Sequence, residues 1–216
     1  MGQIKNPMQI HWNGGVGGVI GLHRWGKHYY RAFAQSVHNP NTPSQQEVRA
    51  RFSFVTKLVA KFMDAYVQGW QYYAQGMAPR AAFFKSLIDD GAVTGNMNDG
   101  YTVDYEKVYL AKGSVLPTFA MSCSVIGAQH KVSLSWTSNA GQGTAKAGDK
   151  LNVVLFDVTK GIIMPSYGQA TRETEALQVQ YPTAWAGDTV YTFVFWTSVD
   201  GNDNSDSQMI NFFVAE

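Results

Sequence analysis

The feature that most constrains this chain is a change of hydrophobic period near residue 100. Upstream of it, apolar side chains recur every three or four positions; downstream they alternate one in two. A helical block followed by a block of strands cannot form a single-class fold. The pattern predicts an α+β protein.

The helical block opens at Asn39-Pro40-Asn41-Thr42-Pro43. Thr42 is a good N-cap, and Pro43 takes the first helical position, where its missing N–H costs nothing. Gln45 stands three residues on as the capping-box partner. Val48, Phe52, Val55, Val59, Phe62, Tyr66 and Trp70 then fall on one helical face, widened by Leu58, Met63, Val67 and Tyr73. This spacing predicts one long helix of about thirty residues, roughly 45 Å. Such a rod either spans both parts of the protein or leaves an end for a partner, and Gly69 is the natural place for a bend. A shorter helix is expected over Pro79–Asp89, with Ala81, Phe84, Leu87 and Ile88 buried and Gly91 as its stop.

From Tyr101 onward the alternating runs are Val108 with Leu110, Met121 with Val125, Val132-Leu134-Trp136, Leu151-Val153-Leu155, Leu177-Val179-Tyr181, Tyr191-Phe193-Phe195 and Ile210-Phe212-Val214. Short strands at this density, separated by turns of Gly, Asn, Asp and Ser, suggest a β-sandwich of immunoglobulin or fibronectin type packed around Trp136. The expected organisation is an arm over 1–41, a helical segment over 42–95 and a sandwich over 101–216, with a boundary in residues 95–100.

The arm has another character. Its glycines alternate with aromatic and basic side chains, and it has too little aliphatic mass for a core of its own. Ile10 and Trp12 precede a turn signal at Asn13-Gly14-Gly15; Val19-Ile20, Arg24-Trp25 and Tyr29-Tyr30-Arg31 follow, with Gly26-Lys27 as a second turn. A β arm or hairpin is expected, packed on the rest of the chain or on another molecule. Charge separates the same regions. Residues 1–61 hold eight Lys or Arg against Glu47 alone, whereas the remainder holds nine against fifteen Asp or Glu. The basic part is therefore expected to meet a negative surface: the chain's own second half, that of a neighbouring copy, or nucleic acid. Trp12, Arg24, Trp25, Lys27, Tyr29, Tyr30 and Arg31 form the candidate interaction site.

Motifs for chemistry fail on inspection. Gly21-Leu22-His23-Arg24-Trp25-Gly26-Lys27-His28 nearly spells a phosphate loop, but His28 stands where a hydroxyl must hold magnesium. The Gly15, Gly17, Gly18 cluster has Ile20 in place of a third glycine and reads as a tight turn. Asp200, Asn202, Asp203, Asn204 and Asp206 could surround calcium, yet the glycine and the final carboxylate of an EF-hand are misplaced, so a hairpin turn is expected. The five histidines show no zinc spacing. The pairs Asp89-Asp90 and Glu173, Glu175 imply no pocket. The single Cys123 reads as a small half-buried residue in an alternating run. No signal peptide and no membrane span are expected, so synthesis is assigned to a cytoplasm. The reading is of a protein that is not an enzyme and takes no cofactor and no metal.

The glycine-rich aromatic start over residues 14–26, Asn39-Pro40-Asn41-Thr42 running into Gln46 and Arg49, Asp104-Tyr105-Glu106-Lys107-Val108 leading to Gly113, Leu134-Ser135-Trp136, and Ala170-Thr171-Arg172 resemble an uncharacterised family from gut Bacteroidota and associated phage genomes. The resemblance covers nearly the whole chain and implies no activity and no site residues. With the charge asymmetry and the overlong helix, it suggests a structural subunit of a phage particle, in a neck, ring or capsid-associated layer. Its partners would be other copies of itself and other virion proteins. The alternative is a cytoplasmic or surface binding module that places Trp25, Tyr29 and Tyr30 on nucleic acid or glycan.

Overall fold

A computed structural model describes residues 2–3, 14–24, 26–33, 39–73 and 76–216. The chain forms two compact units, residues 1–46 and 47–216. The first contains a four-stranded antiparallel sheet made of β1 (Gly2–Gln3), β2 (Gly14–Val16), β3 (Val19–Arg24) and β4 (Lys27–Ala32), in the order β1-β4-β3-β2. Gly17 and Gly18 link β2 to β3 with φ of 55° and 80°. Positive φ at both central residues defines a tight hairpin turn that glycine alone adopts without strain. The turn expected at Asn13-Gly14-Gly15 is thereby displaced, because Gly14 and Gly15 lie in β2. Asn13 falls outside the described residues, as do Ile10, Trp12 and Trp25. Arg24 pairs with Lys27, so Lys27 already belongs to its strand and not to the expected Gly26-Lys27 turn.

The cap read in the sequence is present, with one exchange. Gln45 N–H donates to Thr42 Oγ1 at 3.4 Å, but it is Gln46 whose side chain reaches back, Nε2 donating to Asn41 O at 3.1 Å. From there the expected long helix is corrected to two: α1 (Pro43–Lys61) and α2 (Met63–Trp70). The break is at Phe62 (φ −103°, ψ 20°) and not at Gly69. Phe62 is fully buried, its ring 4.5 Å from that of Phe156, 6.0 Å from Phe83 and 6.4 Å from Phe193. Hydrogen bonding survives the break: Phe62 N–H donates to Val59 O and Phe62 O accepts from Tyr66 N–H. A buried aromatic contributes roughly 1.5–3 kcal/mol while little backbone pairing is lost, so packing decides the conformation. Gly69 serves close approach. A Cβ there would lie 2.1 Å from Leu110 O.

The third helix, α3 (Pro79–Asp89), has the bounds its sequence predicts, with Gly91 just beyond it at φ 68°. Its buried side is turned by one position: Ala82, Phe83 and Leu87 are buried, Phe84 and Ile88 half-buried, and Ala81 exposed. Where a domain boundary was expected, the chain forms a hairpin, β5 (Val93–Asn96) and β6 (Gly100–Val103). This hairpin is clipped to α1. Glu47 accepts from Met97 N–H at 2.9 Å and from Tyr101 Oη at 2.8 Å, and Arg51 Nη2 donates to Val93 O at 3.1 Å.

Seven further strands complete the unit: β7 (Met121–Ile126), β8 (Lys131–Trp136), β9 (Lys150–Asp157), β10 (Ile162–Thr171), β11 (Ala176–Gln180), β12 (Thr189–Thr197) and β13 (Gln208–Val214). They make two antiparallel sheets, β10-β9-β12-β13 and β11-β8-β7. Between the sheets lie Val132, Leu134, Trp136, Leu151, Val153, Val194 and Trp196. The opposite face of the four-stranded sheet carries Val154, Phe156, Phe193 and Phe195 into a second core with α1, α2 and α3. β9 and β12 are thus buried on both faces, and their continuous apolar runs follow from it. The fold is α+β.

Three expectations about strands are corrected. Val108 and Leu110 are buried but in no strand; Leu110 N–H donates to Ser207 Oγ at 2.7 Å instead of to a ladder. β10 was not anticipated, because Pro165 and Gly168 interrupt its pattern; an edge strand tolerates both. In β13 the ladder passes from Thr192↔Asn211 to Phe193↔Met209, leaving Ile210 as an extra residue. That bulge inverts the face after it, so Phe213 and Ala215 are buried while Phe212 and Val214 are exposed.

Candidate functional site

The register of the N-terminal sheet sorts the candidate interaction residues. Cross-strand partners share a face, and successive rows alternate. The pairs Ile20↔Arg31, Leu22↔Tyr29 and Arg24↔Lys27 therefore lie on one face, and Val19↔Ala32, Gly21↔Tyr30 and His23↔His28 on the other. Arg24, Lys27, Tyr29 and Arg31 are brought together with Ile20 and Leu22. Tyr30 is separated from them, on the face where the rings of His23 and His28 stack at 4.4 Å. Trp12 and Trp25 lie outside the described residues. Arg24, Lys27 and Arg31 are exposed, Tyr29 is half-buried, and among residues 14–24 and 26–33 only Gly21 is buried. No ion pair among the described residues involves any of the three cations.

The charge division is sharper than composition indicated. Residues 1–46 contain Lys5, Arg24, Lys27 and Arg31 and no Asp or Glu, so all sixteen acidic residues lie in the second unit. The first unit can take a polyanion or an acidic protein surface. Cations that share a face with an aromatic and two aliphatic side chains suit either.

The other motifs singled out in the sequence are structural. Arg172 is fully buried, its Nε donating to Asp149 Oδ2 at 3.0 Å, Nη1 to Asn139 Oδ1 at 2.6 Å and Thr118 Oγ1 at 3.2 Å, and Nη2 to Leu116 O at 2.7 Å. The guanidinium lies 4.4 Å from the Trp196 ring centroid, and Trp136 Nε1 donates to Arg172 O at 3.0 Å. Asp149 is equally buried and accepts from Lys146 N–H and Val199 N–H. Burial pulls the Arg172 pKa down from its ordinary value, opposed by the hydrogen bond and charge of Asp149. A fully buried guanidinium that spends four of its five donors in this way ties the loops before β7 and β9 to the sheets. The sequence signal was Leu134-Ser135-Trp136 with Ala170-Thr171-Arg172; pairing to Asp149 could not be read from spacing.

The oxygen-rich loop is likewise committed to its own fold. Asp203 accepts from Ser114 N–H and from Ser114 Oγ, and Asp206 from Gly113 N–H at 3.1 Å. Asn204 is fully buried and donates to Gln68 O and Gly69 O, both at 3.0 Å, capping the end of α2. Asp200 pairs with Lys146 at 2.9 Å. Of the carboxylates weighed as catalytic pairs, Asp89 pairs with Lys85 and Asp90 accepts from Ser86, while Glu175 accepts from Ser138 N–H. Sequence reasoning missed Lys160, which bridges the buried Asp157 and Asp188 at the β9–β10 turn. Its hydrogen bond holds the Asp188 carboxyl below the usual range. The Cys123 thiol is half-buried, and burial pushes its pKa up.

No curated protein matches this chain. A family of unknown function, DUF6266, matches residues 10–211, which takes in the β3–β4 sheet, all three helices and the Arg172 cluster. That match spans nearly the full length, and the chain belongs to the DUF6266 family of proteins of unknown function.

Proposed function

We propose that this chain is a non-enzymatic structural protein that acts by assembly, docking the Arg24, Lys27, Tyr29 and Arg31 face of its N-terminal sheet on an acidic surface of a neighbouring copy. The observation that supports this reading is a four-stranded sheet in which, over residues 14–24 and 26–33, only Gly21 is buried. A sheet stabilises its strands by covering at least one face, so such a sheet gains most of its packing when another surface meets it. The acidic second unit of the next copy offers charge of the needed sign. The resemblance drawn from the sequence motifs suggests a phage particle as the setting, with other virion proteins as further partners. We also propose immunoglobulin-type kinship for the paired sheets.

Sedimentation velocity over a concentration series tests the reading. Association that weakens with added salt, and that Arg24→Glu with Lys27→Glu and Arg31→Glu abolishes, supports it. A salt-insensitive monomer that instead binds single-stranded DNA with steep salt dependence would favour the nucleic-acid alternative.

A further inference from the structure

A cleft of about 420 Å³ opens in the second unit between the end of α2 and the ends of β9, β10 and β12. Its walls carry the amides of Gln68 and Gln71, the rings of Tyr72 and Tyr167 and the hydroxyl of Ser198, and Lys150 is the one charged residue lining it. Below them runs a hydrogen-bonded floor. Gly168 N–H donates to Asn152 Oδ1 at 3.1 Å, Asn152 Nδ2 to Thr197 Oγ1 at 2.7 Å, Thr197 Oγ1 to Asn204 Oδ1 at 2.7 Å, and Asn204 Nδ2 to the last carbonyls of α2. The floor is fixed before anything binds, which spares a ligand the cost of ordering it.

Two observations set this cleft apart from an ordinary surface groove. First, β10 bulges here: its register with β9 shifts between Tyr167 and Ala170, and Gly168 stands at φ 65°. Bulges of this kind re-aim side chains beside functional sites. Second, the Tyr167 ring lines the cleft while its hydroxyl is shielded from solvent, so the side chain presents carbon and not oxygen to the cleft. Burial and then the nearby Asp64 charge push its pKa up to about 12, so at neutral pH the side chain stays uncharged.

We propose that the cleft binds an uncharged polyhydroxyl ligand, a sugar residue, through the Gln68 and Gln71 amides and the Tyr72 and Tyr167 rings. Primary amides present a donor and an acceptor side by side, which matches adjacent sugar hydroxyls. Aromatic rings accept the C–H face of a pyranose. A lining without a carboxylate and with one lysine does not select a cation, and the single charge is too little to make a polyanion track. The site is independent of the assembly face, and neither result bears on the other.

The test is saturation-transfer NMR on the full chain with methyl glycosides of glucose, galactose, mannose and N-acetylglucosamine, alongside inorganic phosphate. Transfer to the ring protons of at least one glycoside is expected. Affinity should fall about tenfold in Gln71→Ala, whose exposed position leaves thermal melting unchanged, and in Tyr72→Ala, whose side chain is half-buried. Tyr167→Phe keeps the ring and should leave binding intact, as should Ser135→Ala on the outer face of the other sheet. Absence of transfer from all four glycosides overturns the proposal, as does transfer that survives Gln71→Ala and Tyr72→Ala. Binding of phosphate alone, lost in Lys150→Ala, also overturns it in favour of an anion site.

Discussion

Two four-stranded antiparallel sheets occur in this chain, and they differ in nearly everything but strand count. The sheet β10-β9-β12-β13 is covered on both faces, by the helices and by β11-β8-β7. The sheet β1-β4-β3-β2 buries one glycine among its described side chains and sorts its cations to one side. Strand pairing alone, then, does not make a core. What separates the sheets is burial: one is covered on both faces within its own unit and the other is left largely exposed, and on the reading proposed above the first supplies stability and the second interaction.

Substitutions in the covered sheet should be costly and those in the open one nearly silent for stability. Asp149→Ala should have the largest effect, because it leaves the fully buried Arg172 charge uncompensated; a loss of about 3–5 kcal/mol is expected in urea unfolding. Phe62→Ala should cost a comparable amount, about 3–5 kcal/mol, by emptying the place where α1 and α2 meet Phe83, Phe156 and Phe193. Asn204→Ala removes the bonds to Gln68 O and Gly69 O and should cost about 1–3 kcal/mol, visible as a lower midpoint with an unchanged slope. At the small end, Arg24→Ser with Lys27→Ser and Arg31→Ser should move unfolding by no more than about 0.5 kcal/mol while removing association. A large stability loss in that last variant would erase the contrast.

How much of this was legible in the sequence depended on whether a decision was local. The α3 bounds follow from Pro79 and the glycine after Asp90, and the start of α1 from Thr42 and Pro43; these are choices made within one helical turn. Strands β8, β9, β11 and β12 follow from two-residue alternation. The break at Phe62 was hidden because nothing in its own neighbourhood disfavours helix. Its cause is a cluster of rings supplied by α3, β9 and β12. Gly69 misled for the complementary reason: it looks like a hinge, and its use is to let residues 110–111 approach. In the candidate face, the residue types were readable, but whether Tyr29 or Tyr30 joins the cations is a matter of register. Pairing assigns it to Tyr29. The cleft beside Tyr167 had no sequence signal, since its walls come from four separated elements and its bulge from a strand that the alternation did not reveal.

The central claim is that the N-terminal sheet completes its packing on another molecule while the second unit is stable by itself. Hydrogen exchange on the full chain, read at low and at high protein concentration, tests it most directly. The account predicts that β9 and β12 amides are strongly protected at both concentrations, and that β3 and β4 amides exchange fast when dilute and slow markedly when concentrated. Protection of β3 and β4 equal to that of β9 and β12 in the dilute sample would contradict it.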